Sequence, residues 1–317
     1  MDSGQPGGGV VVLREGVHGL PVERYAAALR ERTDLSVTLA RTPAEEADLV
    51  PTARVVTGPR LSEATLPAET AVELFAGAYA GHSHLPLEAF ERRSIAVTNA
   101  VGVHAPNVAE HVLGAMLSFS RRFHVGRRQA AQRSWQSYPA GELKGSTVAV
   151  VGLGAIGGAV VDRLAPFGVH TVGVRQHPEA GGAEEVYGPE ELDGVLARAD
   201  YLVLACPLTD ETRGLVDREA FTTMSDEVVL VNVARGPVVD TDALVDALRR
   251  NRIGGAALDV TDPEPLPPEH PLWRFENVLI TPHNAGSTPA YYERLADLVA
   301  ENVERLEAGE SLRNRVV

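Results

Sequence analysis

The chain has 317 residues, and its 29 basic and 43 acidic side chains give a formal net charge of −14 at pH 7. Hydrophobic residues make up 44% and charged residues 23%, so folded cores can form and disorder is excluded as the main state. The length predicts about two domains. The negative charge argues against surfaces for nucleic acid or acidic lipids, and we expect neither as a partner.

The cysteine content and the N-terminus limit where the protein works. One cysteine, Cys206, permits neither an internal disulfide nor a cysteine metal cluster. Residues 1–9 are rich in glycine and lack a basic region before an apolar core, so we expect no signal peptide. No apolar run approaches the roughly 18 residues of a membrane span. We therefore expect a cytoplasmic protein with no membrane segment and no metal site.

Short β-rich runs alternate with helical patterns over the first third of the chain. We predict a helix at residues 22–32 and strands at 10–13, 35–39, 54–57, 72–75 and 95–98. Strands separated by helices pair in parallel, which predicts an α/β layer. Residues 107–132 then predict one helix that is too long for a crossover, and we interpret it as a connector between domains.

A second alternation begins at Ser146 and predicts a second α/β domain. Its strands are predicted at 147–152, 169–174, 201–206, 227–233, 254–260 and 277–281, and its helices at 155–167, 189–198, 217–223 and 241–250. A last amphipathic helix, at 289–308, follows the finished second sheet. Its simplest placement is back on the first domain, which makes that domain discontinuous.

A glycine-rich loop follows the strand at 147–152. Gly152, Gly154 and Gly157 have the spacing that allows a tight turn, close approach of a pyrophosphate and close packing of helix on strand. The N–H groups at the start of the next helix, around Ala155 and Ile156, would hold the anion. Because the pattern lies between a strand and a helix, it predicts dinucleotide binding.

Arg175 is the residue expected to select the cofactor. An acidic residue about 20 positions beyond such a loop binds the ribose 2′-OH of NAD. Here an arginine stands 23 positions after Gly152 (175 − 152 = 23). A guanidinium pairs with a 2′-phosphate that a carboxylate would repel, so we predict that NADP(H) is favoured over NAD(H). The alternative is an arginine stacked on adenine in an enzyme that accepts either cofactor.

Three predicted strands are followed by polar residues that can converge. Arg235 follows the strand at 227–233, Glu264 the strand at 254–260 and His283 the strand at 277–281. Each residue alone is more often solvated surface. Ligands gather at the carboxyl ends of strands in open α/β sheets, so the three together predict one polar crevice.

These motifs together resemble the D-isomer-specific 2-hydroxyacid dehydrogenases, the family of glyoxylate/hydroxypyruvate reductases, D-lactate dehydrogenases and phosphoglycerate dehydrogenases. The resemblance spans residues 72–295 and is carried by 152–157, 207–215, 232–240, 258–268 and 277–288. It implies two Rossmann-like, doubly wound domains with parallel sheets. Residues 1–99 and 288–317 would form the substrate domain, and residues 100–287 the NAD(P)-binding domain. It also implies a homodimer formed through the cofactor domains, a role that the helix at 107–132 fits.

The resemblance implies that Arg235, Glu264 and His283 are catalytic. His283 would protonate the keto oxygen as general acid, since histidine changes protonation state near neutral pH. Glu264 would bond the other ring nitrogen and favour the imidazolium. Arg235 would pair with the substrate carboxylate and polarise the keto group. The hydride chemistry belongs to the cofactor.

Further positions carry over from the family. Asp259 would hold the nicotinamide carboxamide, and the other cofactor contacts would be Cys206, Pro207, Thr212, Val233, Ala234, His283 and Gly286. The substrate would be bound by Arg235, His283 and the backbone of a loop with Ala80, Gly81 and His82. This loop departs from the family pattern at His82 and Ser83, where a small apolar residue and Asp are usual. We expect Tyr79 and His82 to shape specificity. Asn284 also replaces an apolar residue.

We therefore predict an NAD(P)-dependent D-2-hydroxyacid dehydrogenase that acts as a reductase of small 2-keto acids, of the glyoxylate or hydroxypyruvate type. Two alternatives stay open. A phosphite-type dehydrogenase has the same fold, whereas formate dehydrogenases carry Gln at the position of Glu264. A dinucleotide-sensing, corepressor-like binding protein is the non-enzymatic alternative, and the complete set of catalytic residues argues against it.

Overall fold

The computed structural model describes residues 8–67 and 69–317, so most of the glycine-rich start, on which the signal-peptide prediction depends, lies outside the described residues. The strands are β1 (Val10–Val12), β2 (Val37–Leu39), β3 (Val55–Gly58), β4 (Leu74–Gly77), β5 (Ala96–Thr98), β6 (Thr147–Val151), β7 (His170–Val174), β8 (Glu185–Tyr187), β9 (Tyr201–Leu204), β10 (Val229–Asn232), β11 (Gly255–Leu258) and β12 (Val278–Ile280). The α-helices are α1 (Val22–Arg30), α2 (Pro43–Leu49), α3 (Leu87–Glu91), α4 (Ala105–Ser120), α5 (Phe123–Ala131), α6 (Ala155–Leu164), α7 (Leu192–Leu196), α8 (Arg218–Thr223), α9 (Thr241–Arg249) and α10 (Tyr291–Ala308).

The chain divides into two compact units. Unit 1 comprises Met1–Val103 and Ser287–Val317, and unit 2 comprises His104–Gly286. Each unit has one sheet, and all the strand pairs of both sheets are parallel. The predicted α/β class with two Rossmann-like parallel sheets is confirmed.

Unit 1 has a five-stranded sheet in the order β2-β1-β3-β4-β5. Its strands β1, β3 and β4 are buried along their whole length, as expected for largely apolar strands covered on both faces. Helices α1 and α10 pack together in this core, where the rings of Tyr25 and Tyr292 stack with their centroids 5.2 Å apart. The last helix therefore packs within unit 1.

Unit 2 has a seven-stranded sheet in the order β12-β11-β10-β9-β6-β7-β8. The chain runs outward from β6 to β8 in one direction and from β9 to β12 in the other. The order thus reverses between β6 and β9. In open α/β sheets, ligands bind in the crevice outside the carboxyl ends of the strands at this switch point.

Local chemistry explains where several helices of unit 2 begin. The Asp217 carboxylate accepts hydrogen bonds from the N–H groups of Glu219 and Ala220 and so caps α8. Asp240 caps α9 in the same way by accepting from Ala243 N–H. Both caps satisfy N–H groups that have no partner inside the helix, an effect worth about 1 kcal/mol each.

The prediction of one long connecting helix at 107–132 is wrong. The structure has two helices there, α4 and α5, and they separate at Arg122, which has a left-handed backbone (φ 52°). No glycine or proline marks this break, so residue propensity could not locate it. Helix α4 is also part of unit 2 and packs on α6, with Val112 and Met116 fully buried.

Three short elements were not predicted: α2, α3 and the edge strand β8. Each has seven residues or fewer, too short for a hydrophobic period to stand out. The helix predicted at 189–198 is reduced to a turn of 3₁₀ helix followed by α7. Within residues 8–67 and 69–317, none of the helices is both long and apolar enough to cross a bilayer.

Candidate active site

The glycine-rich loop of unit 2 connects β6 to α6 through close backbone contacts. Gly152 has φ 92°, a conformation that favours glycine, and a Cβ added there would lie 2.6 Å from the Cys206 backbone. A Cβ on Gly157 would collide with the carbonyl oxygen of Gly152. At Gly154, by contrast, an added Cβ would meet open space. The loop therefore packs closely against the protein at Gly152 and Gly157, whereas Gly154 faces open space, where a pyrophosphate would lie.

A cavity of about 510 Å³ opens beside this loop at the switch point. It brings together six of the residues predicted to bind the cofactor: Gly152, Gly154, Arg175, Cys206, Pro207 and Thr212. A second cavity of about 400 Å³ is lined by Ile156, Val233, Ala234 and Arg235, and Cys206 and Pro207 line both. The two cavities thus adjoin, and together they extend from the glycine loop to Arg235.

Arg175 lies directly after β7 and lines the larger cavity. Its Nη1 donates a hydrogen bond of 3.0 Å to the carbonyl oxygen of Gly181. Gln176 and His177 line the same wall, and Glu179 lies 3.4 Å from the His177 ring. The side of the cavity expected to bind the ribose therefore carries a guanidinium.

Cys206 follows β9 and is only 7% exposed. Burial raises the pKa of its thiol, so the group stays protonated at neutral pH. A buried neutral thiol behaves as a small apolar side chain and is poorly nucleophilic. Cys206 lies between the two cavities and forms part of the wall of each.

His283 and Glu264 form a hydrogen-bonded pair. The Nδ1 of His283 lies 2.7 Å from Oε1 of Glu264, and the two side chains are 52% and 42% exposed. A carboxylate only accepts hydrogen bonds, so Nδ1 carries the proton and donates it. Nε2 is then the ring nitrogen that can exchange a proton with a ligand.

Arg235 lies between β10 and a 3₁₀ turn, at the edge of the smaller cavity. Its Nη1 donates to the carbonyl oxygen of Ala234. The turn is organised by Asn232, which is 1% exposed, accepts from Ala234 N–H at 3.0 Å and donates to Arg235 O at 3.2 Å. Asn232 therefore orders the turn that carries Arg235, a contact that the sequence pattern did not indicate.

Asp259 is a buried carboxylate, 5% exposed, beside the His283 segment. Its Oδ1 accepts from Thr281 Oγ1 at 2.6 Å and from Asn284 N–H at 2.8 Å, and its Oδ2 accepts from Ala285 N–H at 2.9 Å. Three bonds offset much of the cost of burying the charge. Asn284, whose substitution had no clear consequence in the sequence, thus contributes through its backbone.

Gly286, the last predicted cofactor contact, is at the end of unit 2. Its carbonyl oxygen accepts a 2.9 Å hydrogen bond from Nδ1 of His104, at the start of α4. This bond therefore holds the end of the 281–286 segment against His104, the first residue of unit 2.

The predicted substrate loop belongs to unit 1, where it follows β4. Ala80, Gly81 and His82 are exposed, so their backbone can reach a ligand. Tyr79 is half-buried, and its ring packs edge-on against His84, with the centroids 6.0 Å apart. Nε2 of His84 lies 2.8 Å from the Pro59 carbonyl oxygen.

Several cavity residues were missed by the sequence reasoning. Thr209 and Leu215 belong to the segment 207–215, whose motif could have identified them. Pro189 and Leu192 also line the cavity, but they come from a separate part of the chain with no motif. Only the three-dimensional fold brings them to the site.

The parallel sheet with its glycine loop at the switch point defines a dinucleotide-binding domain. The model of the "D-isomer specific 2-hydroxyacid dehydrogenase, NAD binding domain" matches residues 113–285. A glyoxylate reductase of Thermofilum pendens is 39% identical over 240 residues, 73% of this chain and 70% of the relative. A D-3-phosphoglycerate dehydrogenase of Mycobacterium tuberculosis is 35% identical over 87% of this chain, which spans 52% of that relative.

Solved structures give the same result. A D-isomer-specific 2-hydroxyacid dehydrogenase from Xanthobacter autotrophicus, in complex with NADPH and MES, is 30% identical with a TM-score of 0.78 and covers 98% of each chain. The chain therefore belongs to the D-isomer-specific 2-hydroxyacid dehydrogenases, which are NAD(P)-dependent oxidoreductases acting on CH–OH groups.

Proposed function

We propose that this protein reduces small 2-keto acids, of the glyoxylate or hydroxypyruvate type, to 2-hydroxy acids, with the D configuration wherever the product is chiral. The observation that carries the proposal is the 2.7 Å bond between His283 and Glu264. The pair follows β11 and β12, two strands of the sheet that also carries the glycine loop, and neither residue is among those that line the two cavities. A histidine held by a carboxylate is suited to protonating an oxygen.

The residues around the two adjoining cavities fit a dinucleotide. The N–H groups at the start of α6 would hold its pyrophosphate, and Arg175 would face the ribose. Ile156, Val233 and Ala234 would line the part nearer to Arg235. When bound, the nicotinamide supplies a hydride for the keto carbon.

The chain's own residues supply the proton and the binding of the substrate. Because Nδ1 donates to Glu264, His283 transfers its proton from Nε2 to the keto oxygen. Arg235 pairs with the substrate carboxylate through its planar guanidinium and polarises the keto group. The exposed backbone at 80–82 of unit 1 would offer N–H donors to a carboxylate, and Tyr79 and His82 would set which side chains this loop accepts.

We also propose NADP(H) as the preferred cofactor, a homodimer as the functional form and the cytoplasm as its location. Arg175 in the cavity wall supports the first of these. The exposed apolar side chains of Phe123 and Trp135, 53% and 101% accessible, support the second, because a partner subunit would cover them. The free thiol of Cys206 supports the third, because it suits a reducing compartment.

The test is turnover of NADPH and NADH with glyoxylate, hydroxypyruvate, pyruvate, phenylpyruvate and branched 2-keto acids, for the wild type and His283→Asn. We expect turnover of at least one small keto acid and a loss in kcat of about 10²–10⁴ in His283→Asn, the usual contribution of a general acid. The control is His170→Asn, which removes an exposed histidine that also lies near a carboxylate, Glu184 at 3.4 Å. Oxidation of phosphite with no turnover of any keto acid, or an unchanged kcat in His283→Asn, would contradict the proposal.

A further inference from the structure

The segment that carries His283 has an unfavourable backbone conformation. His283 has φ 50°, the left-handed region that non-glycine residues rarely adopt and that costs of the order of 1 kcal/mol or more. Its N–H donates to the carbonyl oxygens of Asp259 at 2.8 Å and Thr281 at 3.0 Å. Interactions with surrounding residues must therefore offset the free-energy cost of this backbone conformation.

Asp259 is the centre of that support. Its backbone oxygen and both carboxylate oxygens together accept four hydrogen bonds from residues 281–285, including the one from His283 N–H. Both carboxylate oxygens of Asp259 are therefore already hydrogen-bonded to groups of the protein itself. The geometry therefore gives Asp259 a function in holding the segment, whether or not it also contacts the cofactor.

Thr281 connects Asp259 to helix α4. Its hydroxyl has one proton, which it donates to Asp259 at 2.6 Å. The second contact of the same oxygen, 3.3 Å from Nε2 of His111, must then be accepted from His111. Nε2 of His111 is also 4.0 Å from Oδ1 of Asp259. A chain of hydrogen bonds thus extends from α4 through Thr281 and Asp259 to the N–H groups of residues 284 and 285.

We propose that Thr281 and His111 are positioning residues that fix His283 in its left-handed conformation by orienting the Asp259 carboxylate. This inference rests on the proposed role of His283 for its effect on catalysis, but not for its effect on structure. Loss of the Thr281 hydroxyl leaves Oδ1 with one donor fewer and His111 without its acceptor. The His283 ring then spends less time in the geometry that Glu264 holds.

The test compares Thr281→Val with Thr281→Ser by steady-state kinetics and by hydrogen–deuterium exchange of the peptide that contains residues 281–286. Valine has the shape of threonine without the hydroxyl, whereas serine keeps the hydroxyl. We expect Thr281→Val to lower kcat about 10-fold or more with the KM for NADPH within two-fold, and to speed exchange of the His283–Ala285 amides about 10-fold. Thr281→Ser should retain at least half of kcat. His111→Phe should give a smaller loss in kcat, two- to five-fold, because its hydrogen bond is longer.

Thr222→Val is the matched control, because the exposed Thr222 hydroxyl bonds only a backbone carbonyl within α8. Thr222→Val should leave both kcat and the exchange rates of residues 281–286 unchanged. Conversely, Thr281→Val should leave the exchange rates of α8 unchanged. Wild-type exchange at residues 281–286 in Thr281→Val would overturn the proposal, even if no keto acid is turned over. An absence of keto-acid turnover by the wild type would instead refute the proposed function, and the exchange rates would still decide this one.

Discussion

The guanidinium of Arg175 is held at the end of β7 by a single hydrogen bond to the Gly181 carbonyl. A guanidinium has five N–H donors and this bond uses one of them, so Arg175 retains donors for a phosphate. The carbonyl is presented by a turn in which Gly181 has φ 64° and Gly182 has φ 111°, both favouring glycine. At the residue scale, the proposed preference for NADP(H) therefore depends on one side chain and on the glycine turn that orients it.

Arg175→Ala should lower kcat/KM for NADPH by about 10- to 100-fold, since a charge-assisted hydrogen bond is worth about 1.5–3 kcal/mol. The value for NADH should change less than three-fold, because NADH has no 2′-phosphate. The comparison is of the two cofactors at one fixed keto-acid concentration. Arg218→Ala is the control, since Arg218 pairs with Asp246 and is exposed. A wild type that prefers NADH, or an equal loss with both cofactors, would show that Arg175 does not read the 2′-phosphate.

At the scale of elements, adjacent parallel strands bring two of the three candidate catalytic residues together, Glu264 and His283, whereas among the described residues no hydrogen bond or ion pair joins Arg235 to them. β11 and β12 pair in parallel, so the segments that follow them leave the same edge of the sheet. Glu264 and His283 lie in those two segments, and their side chains meet although they are 19 positions apart. The convergence was predictable from strand order alone. The bonds of Asp259 and the contact from His111 were not, because they depend on side-chain directions that hydrophobic periodicity does not specify.

Helix α10 also carries a small charge cluster, which Glu301 forms with Arg305 of the same helix and with Arg313 beyond its end. Glu301 accepts hydrogen bonds from Arg313 at 2.8 Å and from Arg305 at 3.0 Å. The bond from Arg313, followed by that from Arg305, lowers the pKa of the Glu301 carboxyl from its ordinary value of 4.5, against the opposing effect of desolvation. A lowered folded-state pKa stabilises the protein above pH 4.5, and this contribution is lost as the pH falls through the folded value.

Glu301→Gln should therefore lower the free energy of unfolding at pH 7 by about 0.5–1 kcal/mol, a small value because the pair is partly screened by solvent. The difference from the wild type should shrink toward zero at pH 3. Urea unfolding at both pH values measures it, and Glu304→Gln, at an exposed position on the same helix, is the control. A difference that persists unchanged at pH 3 would mean that hydrogen-bond shape, not charge, is what the variant removes.

At the scale of the whole molecule, the net charge of −14 opposes the binding of anions. The family binds a dinucleotide and a carboxylate substrate, so attraction must be local. The N-terminus of α6, Arg175 and Arg235 lie at the two adjoining cavities of unit 2, and we propose that they supply this attraction. Screening by salt is weaker inside cavities than on the surface, which lets a few charges outweigh the global excess.

The parts of the fold that could be predicted from the sequence are those with long periodic patterns. Strand alternation and the glycine loop gave both parallel sheets and the position of the cofactor cavity. The break at Arg122 and the short β8 were not predicted, because tertiary contacts decide them rather than residue type. Of the candidate site, the sequence indicated the residues that we propose to be catalytic, but not the positioning roles that the hydrogen bonds of Asn232 and Thr281 suggest.

Hydride transfer to the keto carbon of hydroxypyruvate creates a stereocentre at C2, so the labelled product decides whether the proposed reaction takes place. The cofactor for this experiment is NADPH that carries deuterium at both C4 positions. We expect D-glycerate with one deuterium at C2, formed by His283→Asn at a small fraction of the wild-type rate. L-glycerate, or D-glycerate without deuterium at C2, would refute the proposed transfer, and so would a lack of product from hydroxypyruvate and from every other keto acid of the panel.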